Sequence, residues 1–361
     1  MPTQKNDLNF EGQNIYAGFD AHLKSWQVTI LTDGLNLKTF VMPPKPEVLN
    51  DYLRRNYPGA TYHSAYEAGF SGLWAHYRLC NLGIHNIVAN AADIPGTQKD
   101  RLQKEDRRDS RKIANALRGG TLTPIYTPSE RTLNDRSLIR SRRALVRDLV
   151  RFKLRIKSFL NFYGIEYPEE IKTSGKYWSN RFLDWLGELP MQEESGRQAL
   201  DILVGEAKTQ KKLLKEVTSQ IKQLSESDRY FKRSKLLRTV PGIALINAMA
   251  ILTEVEDINR FPNAERFASF IGLIPMTKSS GEKEKVGEIT FRSHDFLRCM
   301  FVESAWVAIR QDPALLMSYQ KLVRRMEPNN AIIRIAKKLA NRAYSVLKYD
   351  KPYELCKTDN L

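Results

Sequence analysis

Ile15-Tyr16-Ala17-Gly18-Phe19-Asp20 is a short apolar run closed by an acid, and Tyr62-His63-Ser64-Ala65-Tyr66-Glu67 ends the same way. Further along, Lys104-Glu105-Asp106-Arg107-Arg108-Asp109-Ser110 places two more acids three residues apart at the start of a helical pattern. Residues three apart share a helix face. Acids at two strand ends and on a facing helix can converge, and converging carboxylates repel unless a hard cation sits among them. Two such ions held about 3.5–4 Å apart activate an attacking oxygen and stabilise a leaving one in phosphodiester cleavage. Any one of these acids alone reads as a solvated surface charge. The ordered set Asp20, Glu67, Asp106 and Asp109 points to a Mg²⁺ or Mn²⁺ nuclease site.

Working outward, Ile15–Phe19, Trp26–Leu31 and Leu37–Met42 read as strands, the last two joined by the turn signal Thr32-Asp33-Gly34. A helix over Glu47–Asn56, the strand ending at Glu67, a helix over Ser71–Leu82, a strand at Asn86–Asn90 and a helix over Asp109–Arg118 complete the region. Three antiparallel strands followed by helix, strand, helix, strand, helix is the order of an α/β ribonuclease-H-like, RuvC-like nuclease domain. It is expected over residues 1–135, with the acids on its first strand, fourth strand and late helix.

The pattern then changes. Leu138, Leu145, Leu149, Phe152, Ile156, Phe159 and Tyr163 follow a heptad seam. Arg136, Arg140, Arg142, Arg143, Arg147, Arg151, Lys153, Arg155 and Lys157 surround it, opposed within the segment by Asp148 alone. Such a face is either simply solvated or holds a phosphate backbone that offsets its repulsion. The arginines Arg140, Arg143, Arg147, Arg151 and Arg155 are the candidate nucleic-acid contacts. After an aromatic element around Tyr177, Trp178, Phe182 and Trp185, a second heptad run follows: Leu200, Leu203, Ala207, Leu214, Val217, Ile221 and Leu224. Gln210 occupies its missing seam position, and a polar seam residue can specify register or oligomeric state. Residues 136–231 are therefore expected to be an α-helical coiled-coil connector, and the second run is either a dimerisation arm or an ordinary bundle helix.

An α-helical domain over residues 232–361 should complete the chain. It opens on Leu237-Arg238-Thr239-Val240-Pro241-Gly242-Ile243, a helix-hairpin-helix-like turn whose backbone N–H groups could approach a phosphate. Phe270-Ile271-Gly272-Leu273-Ile274-Pro275 follows, then a polar loop, Lys278-Ser279-Ser280-Gly281-Glu282-Lys283-Glu284-Lys285, and finally a basic helix over Arg334–Lys348.

Lys plus Arg number 57 against 41 Asp plus Glu, a net charge of +16. That excess favours a polyanionic partner, nucleic acid before a membrane surface. No stretch reaches the roughly 20 apolar residues a membrane span needs, and the polar start lacks a signal-peptide core. The three cysteines, Cys80, Cys299 and Cys356, are too scattered for a disulfide framework or a zinc site. A cytoplasmic protein is expected.

The motifs Gly18-Phe19-Asp20, Tyr66-Glu67-Ala68, Asp106-Arg107-Arg108-Asp109, Val240-Pro241-Gly242-Ile243, Phe270–Pro275, Ser280-Gly281 and Ile335-Ala336-Lys337-Lys338-Leu339-Ala340, in that order, resemble the DEDD insertion-sequence transposases of the IS110 type. Piv-type DNA invertases are related to these. The resemblance covers nearly the whole chain and implies a DNA transposase or recombinase with a catalytic serine in its last domain, which here is Ser280, with Ser279 as the decoy. It further implies Mg²⁺ held by Asp20, Glu67, Asp106 and Asp109, a structured bridge RNA as guide, a homo-oligomer from dimer to tetramer, and a nucleoid-associated setting in a prokaryote. The chain departs from the family at Phe291-Arg292-Ser293-His294-Asp295-Phe296-Leu297-Arg298, where members often carry Lys-x-Gly-Asn before Leu-Arg, and its connector is longer over 164–195. The rival readings are a RuvC-like endonuclease in which water attacks, an invertase, and a non-catalytic binding protein.

Overall fold

The computed structural model describes residues 9–95, 106–175, 177–280, 283–289 and 293–355, the side chains of Asp106, Ser174, 276–280 and 283–289 excepted. The chain divides into two compact units, Met1–Glu130 and Arg131–Leu361.

In the first unit, β1 (Asn14–Ala21), β2 (Trp26–Thr32) and β3 (Asn36–Met42) form an antiparallel meander. Helix α1 (Pro46–Asn56) leads to β4 (Thr61–Glu67), which returns parallel to β1. Helix α2 (Trp74–Asn81) then leads to β5 (His85–Ala89), parallel to β4, and α3 (Asp106–Arg118) follows. The five strands lie in the order β3-β2-β1-β4-β5. Side chains alternate across a strand, and each face has its own core. Ile15, Phe19, Trp26 and Tyr66 pack with Leu49 and Leu53 of α1 and Leu79 of α2 on one face. Ala65 and Ala89 meet Ile113, Ala116 and Leu117 of α3 on the other. The helix expected from Ser71 starts three residues later, because Gly72 takes a left-handed φ of 65° and its carbonyl accepts the Tyr66 hydroxyl.

Gly18 sets how closely α3 approaches the sheet. A Cβ there would stand 2.2 Å from the Ala114 nitrogen and 2.6 Å from the Ser110 carbonyl oxygen, so helix backbone lies directly on the strand. Ser110 is fully buried, 2.9 Å from the Thr29 hydroxyl of β2. At the other end of the helix, Arg118 donates to the Thr32 carbonyl. Thr32 pairs with Ile15 and Thr29 with Gly18. Helix α3 therefore runs antiparallel to β1, and its first residue stands at the end of the strand that carries Asp20.

The second unit contains α4 (Glu130–Phe162), α5 (Glu169–Ser174), α6 (Asn180–Glu188), α7 (Glu194–Ser225), α8 (Phe231–Leu237), α9 (Leu245–Val255), α10 (Ala264–Ile271), β6 (Pro275–Ser280), β7 (Lys283–Ile289), α11 (Asp295–Gln311), α12 (Pro313–Val323) and α13 (Pro328–Tyr349). The two long helices α4 and α7 are antiparallel. Ile139 shares a core with Val217 and Ile221, while Ile156 and Leu160 share another with Leu200, Val204 and Ala207. The seam thus closes within the chain. Of the expected positions on α4, Ile156 is buried, whereas Leu145, Leu149 and Phe152 are half-buried and Tyr163 is exposed. On α7, Val204 replaces Leu203 in the core. Gln210 has its Oε1 buried without a hydrogen-bond partner among the described residues.

Two expectations need correcting. Of the stretch 278–285, read as a polar loop, residues 278–280 and 283–285 belong to paired antiparallel strands in which Pro275 pairs with Ile289 and Ser280 with Lys283. The last region is therefore not wholly helical. The Pro241-Gly242 turn also fails as a phosphate site on its own N–H groups. Gly242 donates to Gln311 and Ile243 to the Val240 carbonyl. Its φ of +82° and the 2.2 Å separation of a would-be Cβ from the Ser304 carbonyl oxygen make it a packing glycine against α11.

Candidate active site

Asp20 follows Tyr16 and Gly18 on the face of β1 that α3 covers, and Glu67 follows Ala65 on the same face of β4. The recorded parallel register ends at Phe19 with Tyr66, so Asp20 and Glu67 are the next residues on neighbouring strands, which lie about 4.8 Å apart. Asp20 is half-buried, with its Oδ2 3.1 Å from His22 Nε2, and Glu67 is exposed. Asp106 opens α3 one turn before Ser110; its side chain is outside the described residues. Asp109 lies one turn before Ile113, on the stripe that packs over Ala65 and Ala89. Its carboxylate is 3.0 Å from Lys112 Nζ.

Backbone placement brings the four positions to one end of the sheet. The side chains of Asp20, Glu67 and Asp109 do not themselves close into a metal-holding group, and among the described residues no cluster of three His, Cys, Asp or Glu does so. The donor set is nevertheless of the right chemistry: all-oxygen carboxylates suit a hard divalent cation and offer nothing to a soft one.

Ser280 closes β6, with Ser279 paired to Glu284 beside it. Both side chains, and the whole of Gly281 and Glu282, lie outside the described residues. In the residues that flank the hairpin in sequence, His294 donates its backbone N–H to the Phe270 carbonyl.

The arginines of α4 fall into two groups. Arg140 grips Glu254 with Nε at 2.7 Å and Nη2 at 2.8 Å, and Arg143 reaches Asp295 at 2.9 Å while stacking over Phe296. Arg142, pressed into the interior, donates to the Thr218 hydroxyl, and burial lowers its pKa. The face counted as opposed only by Asp148 is thus partly neutralised from α9 and α11. Arg147 and Arg155 stay exposed, Arg155 over the Phe152 ring, and exposed Arg151 pairs with Asp148.

Glu254 went unread as a key residue. It sits in the apolar run Leu245-Ile246-Asn247-Ala248-Met249-Ala250-Ile251-Leu252-Thr253-Glu254-Val255, where an isolated acid on a buried helix was the available signal. Besides Arg140, it takes Arg136 at 3.2 Å and His294 Nε2 at 3.1 Å. His294 Nδ1 accepts the Leu297 N–H, so Nε2 carries the proton that Glu254 receives. Burial alone pushes the Glu254 carboxyl up, but the hydrogen bonds from His294 and Arg140 and the charges of Arg140 and Arg136 outweigh it and bring the pKa to about 2. A pKa depressed on folding gives stability that is fully present above the unfolded value of 4.5 and is lost as pH falls from there towards 2. Glu254→Ala should cost about 2–3 kcal/mol at neutral pH, because Arg136, Arg140 and His294 lose the buried carboxylate they share. The check is urea unfolding of both proteins at pH 7 and pH 3. A loss under about 1 kcal/mol at pH 7 would show that the network contributes little.

No helix among the described residues is long and apolar enough to cross a membrane. A family model described as a transposase, the DEDD type of IS110, matches residues 17–165, and one described as the IS116/IS110/IS902 transposase family matches residues 234–320. The chain is 29% identical to a putative transposase, y4qE, of Sinorhizobium fredii over 77% of its own length and 65% of that protein's, just under two thirds. It is 26% identical to the transposase for insertion sequence element IS1533 of Leptospira borgpetersenii over 70% of its length and 72% of the relative's. For the transposase of IS1111A of Coxiella burnetii the identity is 22%, over 69% and 68%. Both models describe transposases, the first running from the first compact unit into the start of the second and the other lying within the second. Together these likenesses support an IS110-family transposase.

Proposed function

We propose that this protein cleaves and rejoins DNA strands to move an insertion sequence, on a ribonuclease-H-like nuclease domain, a helical connector and a last domain bearing the nucleophile. The observation that carries the reading is the strand order β3-β2-β1-β4-β5 with Asp20 and Glu67 on neighbouring parallel strand ends, under the start of α3. That order and α3 across one face support the RuvC-like assignment. The separate small core of Ile156, Phe182 and Leu200 supports a connector distinct from the last domain.

Asp20, Glu67, Asp106 and Asp109 would hold Mg²⁺ or Mn²⁺, which when bound polarises the scissile phosphate and assists ionisation of an attacking hydroxyl. The oxygen of Ser280 attacks phosphorus, forming an O–P bond as the bond to a deoxyribose oxygen breaks. The serine gives up its proton and the leaving oxygen gains one. A hydroxyl of the new partner strand then reverses the exchange, so the phosphoester energy is kept and no external energy source is needed. Exposed Arg147, Arg151 and Arg155, with Arg140 and Arg143 beside them, would contact the nucleic-acid backbone, including a structured guide RNA. The protein would act in the cytoplasm, associated with the nucleoid. Strand exchange by purified protein on element-end DNA with its RNA, wild type against Asp20→Asn, tests the reading, and exchange by the variant would overturn it.

Self-association through the α4–α7 hairpin belongs to the same proposal. Val150, Leu154 and Leu213 are exposed apolar residues on it, and Gln210, whose Oε1 has no hydrogen-bond partner among the described residues, lies along its seam. Glutamate at Leu154 and Leu213 should shift the protein to smaller species in sedimentation without lowering its melting temperature. Ile221 is unsuitable for this test because it is fully buried in the chain's own core. An unchanged sedimentation coefficient would assign the hairpin to the monomer alone.

A further inference from the structure

A groove of about 490 Å³ lies between α12 and α13, with Glu265 of α10 at its edge. Lys321 and Arg325 line it from the α12 side, and Arg334, Lys337 and Lys338 from α13. Five cations therefore face one carboxylate. Lys337 takes that carboxylate at 2.8 Å, and Lys338 donates to a neutral partner, the Ser318 hydroxyl, at 2.9 Å. Arg334 and Lys338 are four apart on α13, a spacing at which like charges repel along a helix, and Arg325 lies in the turn just beyond α12. The helix cannot turn this face away, because Ala331, Ile335 and Leu339 on its other side are buried in the core.

We propose that this groove seats the phosphate backbone of duplex DNA, a contact separate from both the carboxylates and the arginines of α4. The proposal rests on the reading above that DNA is the substrate. Arg334 and Lys338 are one helical turn apart, about 6 Å along the axis, close to two phosphate steps of roughly 3.4 Å on one strand. The cations on the α12 side add a second row. Phosphates seated there relieve the repulsion among these cations.

The test is a salt titration of binding to duplex DNA by the full chain, wild type against the triple variant Lys321→Gln, Arg325→Gln, Arg334→Gln. The slope of log K against log salt should flatten by about 2–3, with affinity at 0.1 M salt at least about tenfold weaker. The melting temperature without DNA should hold or rise, since the changed side chains support no core contact. Lys321→Gln alone, a milder variant, should flatten the slope by about 1. An unchanged slope in a folded variant overturns the groove, as does a loss confined to an RNA hairpin with duplex DNA binding intact. Asp20→Asn, run beside it, should keep the wild-type slope while losing cleavage. If Asp20→Asn loses cleavage and the triple variant keeps the wild-type slope, the groove fails and the nuclease reading stands. If Asp20→Asn still cleaves while the triple variant flattens the slope, the nuclease reading fails and the groove stands.

Discussion

Ser280→Ala should eliminate strand exchange, with a fall of at least about 10³-fold, the scale on which removing a covalent nucleophile acts. DNA affinity should change less than about twofold, because a single hydroxyl on a hairpin contributes little to backbone binding. Ser279→Ala should retain exchange within a few-fold of wild type. The two serines are adjacent in β6, so this pair of variants separates the nucleophile from its neighbour with the same local perturbation. Measured by gel-resolved products from a labelled element end, exchange by Ser280→Ala would remove Ser280 as the nucleophile, whereas cleavage without rejoining by wild type and variant alike would pass the role to water and make the protein a RuvC-like endonuclease.

The second large effect belongs to the carboxylates. Asp20→Asn and Glu67→Gln keep shape and remove charge, and each should slow cleavage at least about 100-fold, as expected when one pre-set electrostatic contact to a reacting phosphate is lost. Neither should lower the melting temperature much, since Glu67 is exposed and Asp20 is half-buried at a strand end. Titration with Mn²⁺ supplies a readout independent of activity: the wild type should gain thermal stability and Asp20→Asn should not. Equal stabilisation of both would place the cation elsewhere.

The sheet was legible because its strands carry their own signals. Alternation in Ile15–Asp20 and Tyr62–Glu67 fixes which residues share a face, and Thr32-Asp33-Gly34 marks the turn between β2 and β3. Gly18 also stood in the sequence, but its reason did not, since only the Ser110–Ala114 backbone lying on it explains the glycine. The hairpin β6–β7 escaped because Lys278-Ser279-Ser280 and Lys283-Glu284-Lys285 have the composition of a solvated loop, and strand propensity reflects packing context more than intrinsic preference. The arginines of α4 were visible as a basic face, but their partners Glu254 and Asp295 lie more than a hundred residues away. Heptad spacing located the long helices, yet it could not tell a seam closed within the chain from one closed between copies. The buried ends of α4 and α7 answer for Ile139, Ile156, Leu200 and Ile221.

The central claim is that the carboxylate site and Ser280 serve one DNA-joining reaction. Its most direct test stops a cleavage reaction of the wild-type protein with denaturant, digests the protein, and identifies by mass spectrometry any peptide still carrying a nucleotide. The account predicts a phosphodiester on the peptide containing Ser280, formed with Mg²⁺ present, missing after chelation and missing in Asp20→Asn. Cleaved DNA with free ends and no nucleotide on any peptide, or a nucleotide on Ser279 in place of Ser280, would contradict it.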